Sequence, residues 1–300
     1  MCGIVGLLLH DPTMEPELGR HFAPMLEAMT PRGPDSAGMA LYDREVPDGS
    51  RRWSLRSPHE HTDWNAIQAA VEAASGQPAL LDARANVAFL VTAAPESAIH
   101  QVLAATAAEG IAVVGVGGGM RLIKDVGTPR EICDRYAVDA MAGYMAVGHT
   151  RMATESAVTT QHSHPFSPAP DLALVHNGSF SNHATIRRQL FDLGVECVTD
   201  NDTEVAAQYI GWRMAVGDDL EEAMRHVLKE FDGFFTLVVT SKTQFSVVRD
   251  AFACKPLVVA ETARYVAVAS EYQALADLPG IENARVFEPQ PEEIHTWTVA

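Results

Sequence analysis

The chain opens with the sequence MCGIVGLLL at residues 1–9, in which a cysteine and a glycine precede a run of mainly apolar residues. Residues 4–9 predict a buried β-strand, because short apolar runs rich in branched side chains are typical of a sheet core. Removal of Met1 would make Cys2 the first residue, with a thiol and a free α-amine. An α-amine has a pKa of about 7.7–8.0, so its neutral form can accept the thiol proton. The stretch therefore predicts an amino-terminal nucleophile at the end of a strand, with an ordinary buried cysteine as the alternative.

The length and the charge of the chain restrict its class. Of its 300 residues, 47% are hydrophobic, which is enough to bury a large core in one domain or in two smaller ones. Its 22 basic and 39 acidic residues give a formal net charge of −17. An acidic surface repels phosphate backbones and anionic lipid headgroups, so we expect no nucleic acid and no membrane as partners. No basic, apolar leader opens the chain, and no apolar run approaches the roughly 18 residues that suggest a membrane span.

The cysteines indicate the redox environment. Cys2, Cys133, Cys197 and Cys254 are far apart in the sequence and form no Cys-x-x-Cys pair. This spacing is not typical of a disulfide framework, so we expect a cytoplasmic protein. We expect the three cysteines other than Cys2 to pack as small hydrophobic side chains.

The first half of the chain contains a change of character. Hydrophobic periodicity predicts a helix over residues 15–29 and a strand over 36–42. Residues 43–62 are polar and rich in turn-forming residues, and alternating helix-like and strand-like segments then continue to about residue 142. This order predicts a small inserted α/β subdomain at about residues 43–142.

The second half separates its strands from its helices. Strands are predicted over residues 144–148 and 172–175, and three helices over 182–193, 200–215 and 219–231. A succession of strands then continues toward the C-terminus. Runs of strands separated from runs of helices predict stacked sheets with helices outside, which is an α+β fold.

Two motifs suggest ligands that the surrounding sequence does not support. The glycine-rich run at residues 115–119 resembles part of a dinucleotide motif, but Met120 stands at the sixth position and a strand follows, so a tight turn is predicted. His162 and His164 could form a metal pair, but no further ligand with suitable spacing accompanies them. We therefore expect no metal site.

Five short motifs, taken in order, resemble those of the class II glutamine amidotransferases, which are N-terminal-nucleophile hydrolases. The motifs are CGIVG at 2–6, RGPDSAG at 32–38, GHTR at 148–151, HNG at 176–178 and DTE at 202–204. The resemblance covers about residues 1–42 and 143–270. It implies a four-layer αββα sandwich in which residues 1–300 form one glutaminase domain that carries the insert.

The resemblance also implies how the amide is cleaved. Cys2 would attack the side-chain amide of glutamine and form a thioester. Asn177, through its side-chain amide, and Gly178, through its backbone N–H, would stabilise the negative oxygen of the intermediate. An Asn-Gly hairpin turn is the alternative interpretation of these two residues.

Further residues would recognise the amino-acid part of glutamine. Arg151 would bind the α-carboxylate, Thr154 would add a hydroxyl, and Asp202 would pair with the α-ammonium. A helix N-cap is the alternative for Asp202. Arg32, with Asp35, resembles a mobile loop over the glutamine site, and a structural ion pair between them is the alternative.

The sequence also departs from the family pattern. Met152 follows Arg151 where the family usually has an aromatic residue, and Glu155 stands where a histidine or asparagine is usual. These departures leave open the shape of the amide pocket and whether a methylated amide is accepted.

The long insert and the absence of a synthase segment resemble the amidotransferase subunits of glutamate-synthase-like systems, including N-methylglutamate synthase. The resemblance implies a hetero-oligomer in which glutamine, or a related γ-amide, is hydrolysed here and the amine passes to separate synthase subunits. No cofactor motif is visible in this chain, and FMN and iron–sulfur clusters would belong to those partner subunits. The alternatives are a non-catalytic glutamine sensor and an amidase that acts on another amide.

Overall fold

The computed structural model describes residues 2–44, 46–106, 110–152 and 159–299. The strands, in chain order, are β1 (Gly3–Leu9), β2 (Ser36–Tyr42), β3 (Arg51–Arg56), β4 (Ala79–Arg84), β5 (Val87–Thr92), β6 (Ala112–Gly117), β7 (Met120–Val126), β8 (Met145–Arg151), β9 (Ala173–Phe180), β10 (Gly233–Thr240), β11 (Gln244–Arg249), β12 (Val258–Glu261), β13 (Tyr265–Ala269), β14 (Arg285–Phe287) and β15 (His295–Thr298). The α-helices are α1 (Leu18–Ala28), α2 (Trp64–Ser75), α3 (Glu96–Ala105), α4 (Pro129–Arg135), α5 (His183–Asp192), α6 (Asp202–Ala215) and α7 (Leu220–Glu230).

These strands form three sheets. The largest has the order β14-β12-β13-β1-β8-β2-β7, and a second has the order β15-β11-β10-β9. Strand β1 lies in the middle of the largest sheet, where it pairs in antiparallel fashion with β13 on one side and β8 on the other. The predicted first strand is therefore confirmed, and its central position fixes the residue that precedes it.

The apolar sequence of β1 is explained by burial on both faces of the sheet. Ile4 and Leu8 pack against strands of the second sheet, including Val175 and Val238. Leu7 belongs instead to the core formed with α1 and α4. Alternate residues of a strand face opposite sides, so a strand with helices on one side and a sheet on the other is apolar throughout.

Three helices from the second half of the chain form the fourth layer. The outer face of the second sheet packs against α5, α6 and α7, with Phe235 and Leu237 contributing from β10. The order of layers is helices, sheet, sheet, helices. The predicted α+β fold of the αββα type is confirmed.

The third sheet, in the order β4-β5-β3-β6, lies within the predicted insert. Helices α2 and α3 cover one of its faces through Trp53, Ile67 and Ile99. Strand β7, which the prediction also assigned to the insert, pairs with β2 in the largest sheet. The inserted unit at 43–142 stays a prediction, and its strands divide between two sheets.

Two strands of this third sheet were not predicted. Strand β3 runs through the stretch read as polar and turn-rich, and β4 is absent from the predicted elements. Strand β4 lies at the sheet edge with partly exposed side chains, so its sequence lacks the apolar run of a central strand.

The glycine-rich run forms the turn between β6 and β7, and this confirms the predicted tight turn. The backbone N–H groups of Gly118, Gly119 and Met120 donate to the carboxylate of Asp171 at 2.7, 2.9 and 2.9 Å. A Cβ atom on Gly117 would lie 2.1 Å from Oδ1 of Asp171, so the carboxylate fits only against glycine. An internal carboxylate therefore occupies the donors that a phosphate would use in a nucleotide-binding loop.

In the described part of the chain, no helix is both long enough and apolar enough to cross a membrane.

We predict that Asp171→Asn lowers the free energy of unfolding by about 2 kcal/mol, because an amide cannot accept all three N–H groups as a carboxylate does. Asn tolerates the left-handed backbone at this position, where φ is 55°, so backbone strain is not added. Urea unfolding measures the change. Asp48→Asn, at an exposed position, is the control, and equal stability of the two variants would contradict the role of this turn.

Candidate active site

Cys2 directly precedes β1, and its carbonyl oxygen is held from two directions. The Nε atom of Arg32 donates to this oxygen at 2.9 Å, and Nδ2 of Asn177 donates to it at 3.0 Å. The next residue, Gly3, has no room for a side chain, since a Cβ atom would lie 2.7 Å from Cβ of Met29. The backbone of Cys2 is therefore fixed at the end of the central strand.

Cys2 faces a cavity of about 460 Å³. Four of the predicted site residues line it: Cys2, Arg151, Gly178 and Asp202. Asn177 reaches the same place through its bond to the Cys2 carbonyl. The structure thus brings together residues from the ends of β1, β8 and β9 and from the start of α6. Thr154 lies outside the described residues.

Asn177 and Gly178 lie inside β9, where they pair with Thr236 and Phe235 of β10. The alternative of an Asn-Gly hairpin turn is therefore wrong. Gly178 has φ 150°, and a Cβ atom there would lie 1.9 Å from the carbonyl oxygen of Phe234. Only glycine fits this backbone, and the ladder holds both residues rigidly beside the cavity.

Arg151 is the last residue of β8, and only 8% of its surface is exposed. Asp202 is the first residue of α6, whose N-cap is Asn201, so the alternative of an N-cap role for Asp202 is wrong. Oδ2 of Asp202 accepts the backbone N–H of Phe180 at 2.8 Å. Because that bond fixes the carboxylate at the end of β9, a cation and an anion stand at set positions in one cavity.

Arg32 has a different place from the one expected of a mobile loop. It is buried, and besides its bond to Cys2 its Nη1 atom pairs with Oε1 of Glu271 at 2.7 Å. Arg32 therefore forms an ion pair with Glu271, whereas the alternative interpretation of the sequence predicted an ion pair with Asp35. Arg32 joins the Cys2 backbone to a distant loop, and a contact with substrate stays a prediction.

Three buried histidines beside Cys2 were not predicted as site residues. The rings of His149 and His164 lie 4.0 Å apart between centroids, and Nε2 of His149 lies 3.0 Å from the carbonyl oxygen of His176. Nδ1 of His176 lies 2.8 Å from the hydroxyl of Thr203. All three histidines line the cavity. Two of them stand in the GHTR and HNG motifs, which could have identified them, whereas only the fold brings in His164.

Burial keeps these histidines neutral. It lowers the pKa of His149 to about 3 and that of His176 to about 4, and it holds the pKa of His164 well below its ordinary value. Desolvation of the charged form is the main cause, and the mutual proximity of the rings adds to it for His149 and His164. The three histidines therefore add no positive charge to this cavity, whose lining also includes Arg151 and Asp202.

His162 and His164 do not act as a pair. Nε2 of His162 lies 2.7 Å from Asp200, and its Nδ1 lies 2.6 Å from the hydroxyl of Thr159. Among the residues whose placement is described, no group of three or more His, Cys, Asp or Glu side chains is arranged to hold a metal ion.

We predict that the buried histidines make the fold sensitive to acid. Their pKa values are lowered in the folded state, so the unfolded chain takes up protons first as the pH falls below about 6.5. Stability is then lost by up to about 1.4 kcal/mol per pH unit for each histidine. Urea unfolding between pH 6.5 and 5 measures this slope.

His164→Gln should give a shallower slope, whatever its stability at neutral pH. His59→Gln, at an exposed position, is the control and should keep the original slope. An equal slope in the His164 variant and the unmodified protein would contradict the account of buried neutral rings.

Comparisons with known proteins agree with this geometry. A family model described as a glutamine amidotransferase domain matches residues 149–277. The chain is 46% identical to the glutamine amidotransferase-like protein GlxB of Rhizobium meliloti, over 99% of this chain and 98% of that protein. It is 30% identical to a glutamine–fructose-6-phosphate aminotransferase of Pseudomonas syringae, over 63% of this chain and 32% of that protein.

Among solved structures, the chain is similar to the glutamine phosphoribosylpyrophosphate amidotransferase of B. subtilis, with a TM-score of 0.62 and 18% identity. That likeness covers all of this chain and 49% of the other, and it concerns the fold. The similarity to GlxB, in contrast, is a similarity of sequence, and it covers nearly the whole length of both proteins. The chain belongs to the class II glutamine amidotransferases, and it has their N-terminal-nucleophile hydrolase fold.

Proposed function

We propose that this amidotransferase hydrolyses the side-chain amide of glutamine through Cys2 and passes the released amine to a separate synthase chain. The observation that carries the first part is the cavity in which Cys2, Arg151, Gly178 and Asp202 meet. The nucleophile is the thiol of Cys2, and the base is its own α-amine after removal of Met1.

The reaction has two halves. The sulfur of Cys2 attacks the amide carbon, and the thiol proton passes to the α-amine. The carbonyl oxygen becomes negative, and Nδ2 of Asn177 and the N–H of Gly178 stabilise it. The nitrogen then leaves as ammonia with the proton from the α-amine, and a thioester remains. Water attacks the thioester, which releases glutamate and restores the thiol.

The charges of the cavity suit an amino acid. Arg151 is positioned to hold a carboxylate, and Asp202, fixed by the N–H of Phe180, is positioned to hold an ammonium group. The buried histidines are neutral and add no competing cation. An apolar amide has neither a carboxylate nor an ammonium for these two side chains to bind, which favours glutamine over the alternative amides.

We predict that Cys2→Ala abolishes glutamate release and that Asn177→Ala lowers kcat by about 10²–10³-fold, the usual effect of losing one oxyanion donor. Coupled detection of glutamate measures both, on the chain alone and with its co-purified partners. Cys254→Ala and Asn283→Ala, both at exposed positions, are the matched controls and should keep full activity.

Unchanged turnover in Asn177→Ala would contradict its role. Glutamine binding without turnover, with and without partners, would favour a sensor and overturn the proposed hydrolysis.

The second part of the proposal concerns the partner. The chain matches GlxB over 98% of that protein but only about a third of the fructose-6-phosphate aminotransferase. This pattern supports a glutaminase subunit that works with a separate chain, as in an N-methylglutamate synthase or a glutamate-synthase-like complex. FMN and iron–sulfur clusters would then be held by the partner subunits, and the acidic surface of this chain would contribute to their docking.

We predict that the native protein co-purifies with synthase chains that contain flavin and iron–sulfur clusters. Affinity purification at low salt, with identification of the bound chains by mass spectrometry and absorption spectra, measures this. An equally tagged, unrelated acidic protein from the same cells is the control. A homo-oligomer with no synthase chain would contradict the partner proposal and leave the proposed hydrolysis standing.

A further inference from the structure

A second cavity, of about 660 Å³, lies next to the glutamine cavity. Its walls come from the third sheet, from β7, from the segment 159–168 and from α6. Its lining includes the charged residues Arg56, Lys124 and Glu204, the apolar residues Val113, Val114 and Phe166, and Gln208.

Two shared walls separate the cavities. His162 and His164 face the glutamine cavity, whereas Thr160 and Phe166 of the same segment face the second one. Similarly, Asp202 at the start of α6 faces the first cavity, and other residues of that helix face the second. The second cavity is therefore a distinct space, and nothing in the proposed hydrolysis uses it.

Lys124 occupies an unusual position in this wall. Along β7, Met120 and Leu122 belong to the apolar core between the two stacked sheets. Lys124 follows them at the same alternation, so its side chain leaves the strand on the same face. Its exposed fraction is only 7%. The chain thus places an ammonium group where its neighbours on that face are apolar.

In the described part of the chain, the ammonium of Lys124 has one oxygen acceptor. Its Nζ atom donates to the carbonyl oxygen of Ser163 at 3.1 Å and lies 4.8 Å from the centre of the Phe166 ring. Within the described ranges it forms no ion pair with a carboxylate. A buried ammonium that has three donors and one oxygen acceptor is costly, and burial lowers its pKa to about 8.

The other charged groups that face Lys124 have partners of their own. The carboxylate of Glu204 accepts N–H groups from Val198 and Thr199. Arg56 pairs with Asp125 at 2.8 Å. Among the described lining residues, Lys124 is therefore the cation that lacks a carboxylate partner and can meet a ligand.

We propose that the second cavity binds a small organic carboxylate with an apolar body, and that the carboxylate pairs with the ammonium of Lys124. Val113, Val114 and Phe166 supply apolar walls for the body of the ligand. The volume lies within the usual range for small-molecule sites, and a few polar groups in an apolar pocket are typical of them. This site does not depend on the proposed hydrolysis.

Isothermal titration with 4-phenylbutyrate, and with the neutral 4-phenylbutyramide as a matched compound, tests the proposal. The protein is first inactivated with 6-diazo-5-oxo-norleucine, and glutamate is present, so that the glutamine cavity does not take up the test carboxylate. The unmodified protein should bind 4-phenylbutyrate more tightly than 4-phenylbutyramide. Lys124→Met, which keeps the length but removes the charge, should weaken carboxylate binding by about tenfold or more and leave amide binding unchanged.

Lys229→Met, on the exposed side of α7, is the control and should bind as the unmodified protein does. Gln208→Phe should reduce the binding of both compounds, because it fills the cavity. Carboxylate binding should weaken as the pH rises above about 8, because Lys124 then loses its proton. The other titratable or charged groups that face Lys124 are Glu204, Arg56 and His164. Absence of carboxylate binding, or binding that Lys124→Met leaves unchanged, would overturn the proposal.

Discussion

The site depends on how the carbonyl oxygen of Cys2 is held. Two N–H donors reach it from residues that are 30 and 175 positions away in the chain. Arg32 approaches from the segment after α1, and Asn177 approaches from the second sheet. Because β1 is buried between a helix layer and a sheet, these bonds complete the immobilisation of the residue before it. In the proposed mechanism Cys2 carries its own base, and the side chains of Arg32 and Asn177 hold its backbone in position.

The electrostatics of the cavity follow from the same packing. The three histidines stay neutral because they are buried, and this leaves a cation at the end of β8 and an anion at the start of α6. Asp202 is held by the backbone N–H of Phe180 in β9, and Arg151 is the buried last residue of β8. The fold therefore presents a pair of opposite charges in one cavity, and the ligand proposed for them is a dipolar amino acid. The predicted acid sensitivity of the fold and the proposed binding of glutamine both follow from this burial.

Much of the fold could be predicted from the sequence, for physical reasons that differ between elements. Strand β1 is apolar because both of its faces are buried, so its sequence pattern was clear. Strand β4 lies at a sheet edge, and its partly exposed residues give no such pattern. The tight turn before Met120 was predicted from its glycines, but the carboxylate that fills it comes from Asp171, some fifty residues away. A contact of that kind is visible only in the folded chain.

The same distinction holds for the candidate site. Cys2, Arg151, Gly178 and Asp202 were found because short motifs carry them, and the fold gathers them in one cavity. The role of Arg32 could not be predicted, because its partner Glu271 lies in a distant loop. The position of Lys124 depends on a neighbouring sheet, a loop and a helix that meet only in the tertiary structure.

The central claim is that processing exposes Cys2 as a thiol and an amine facing an amino-acid pocket. Peptide mass spectrometry of protein treated with 6-diazo-5-oxo-norleucine, a diazoketone analogue of glutamine, tests it most directly. The account predicts an amino-terminal peptide that begins at Cys2, with a free α-amine and the inhibitor on its sulfur, and protection by glutamine. A mature chain that retains Met1, or labelling of another cysteine while Cys2 stays unmodified, would contradict it.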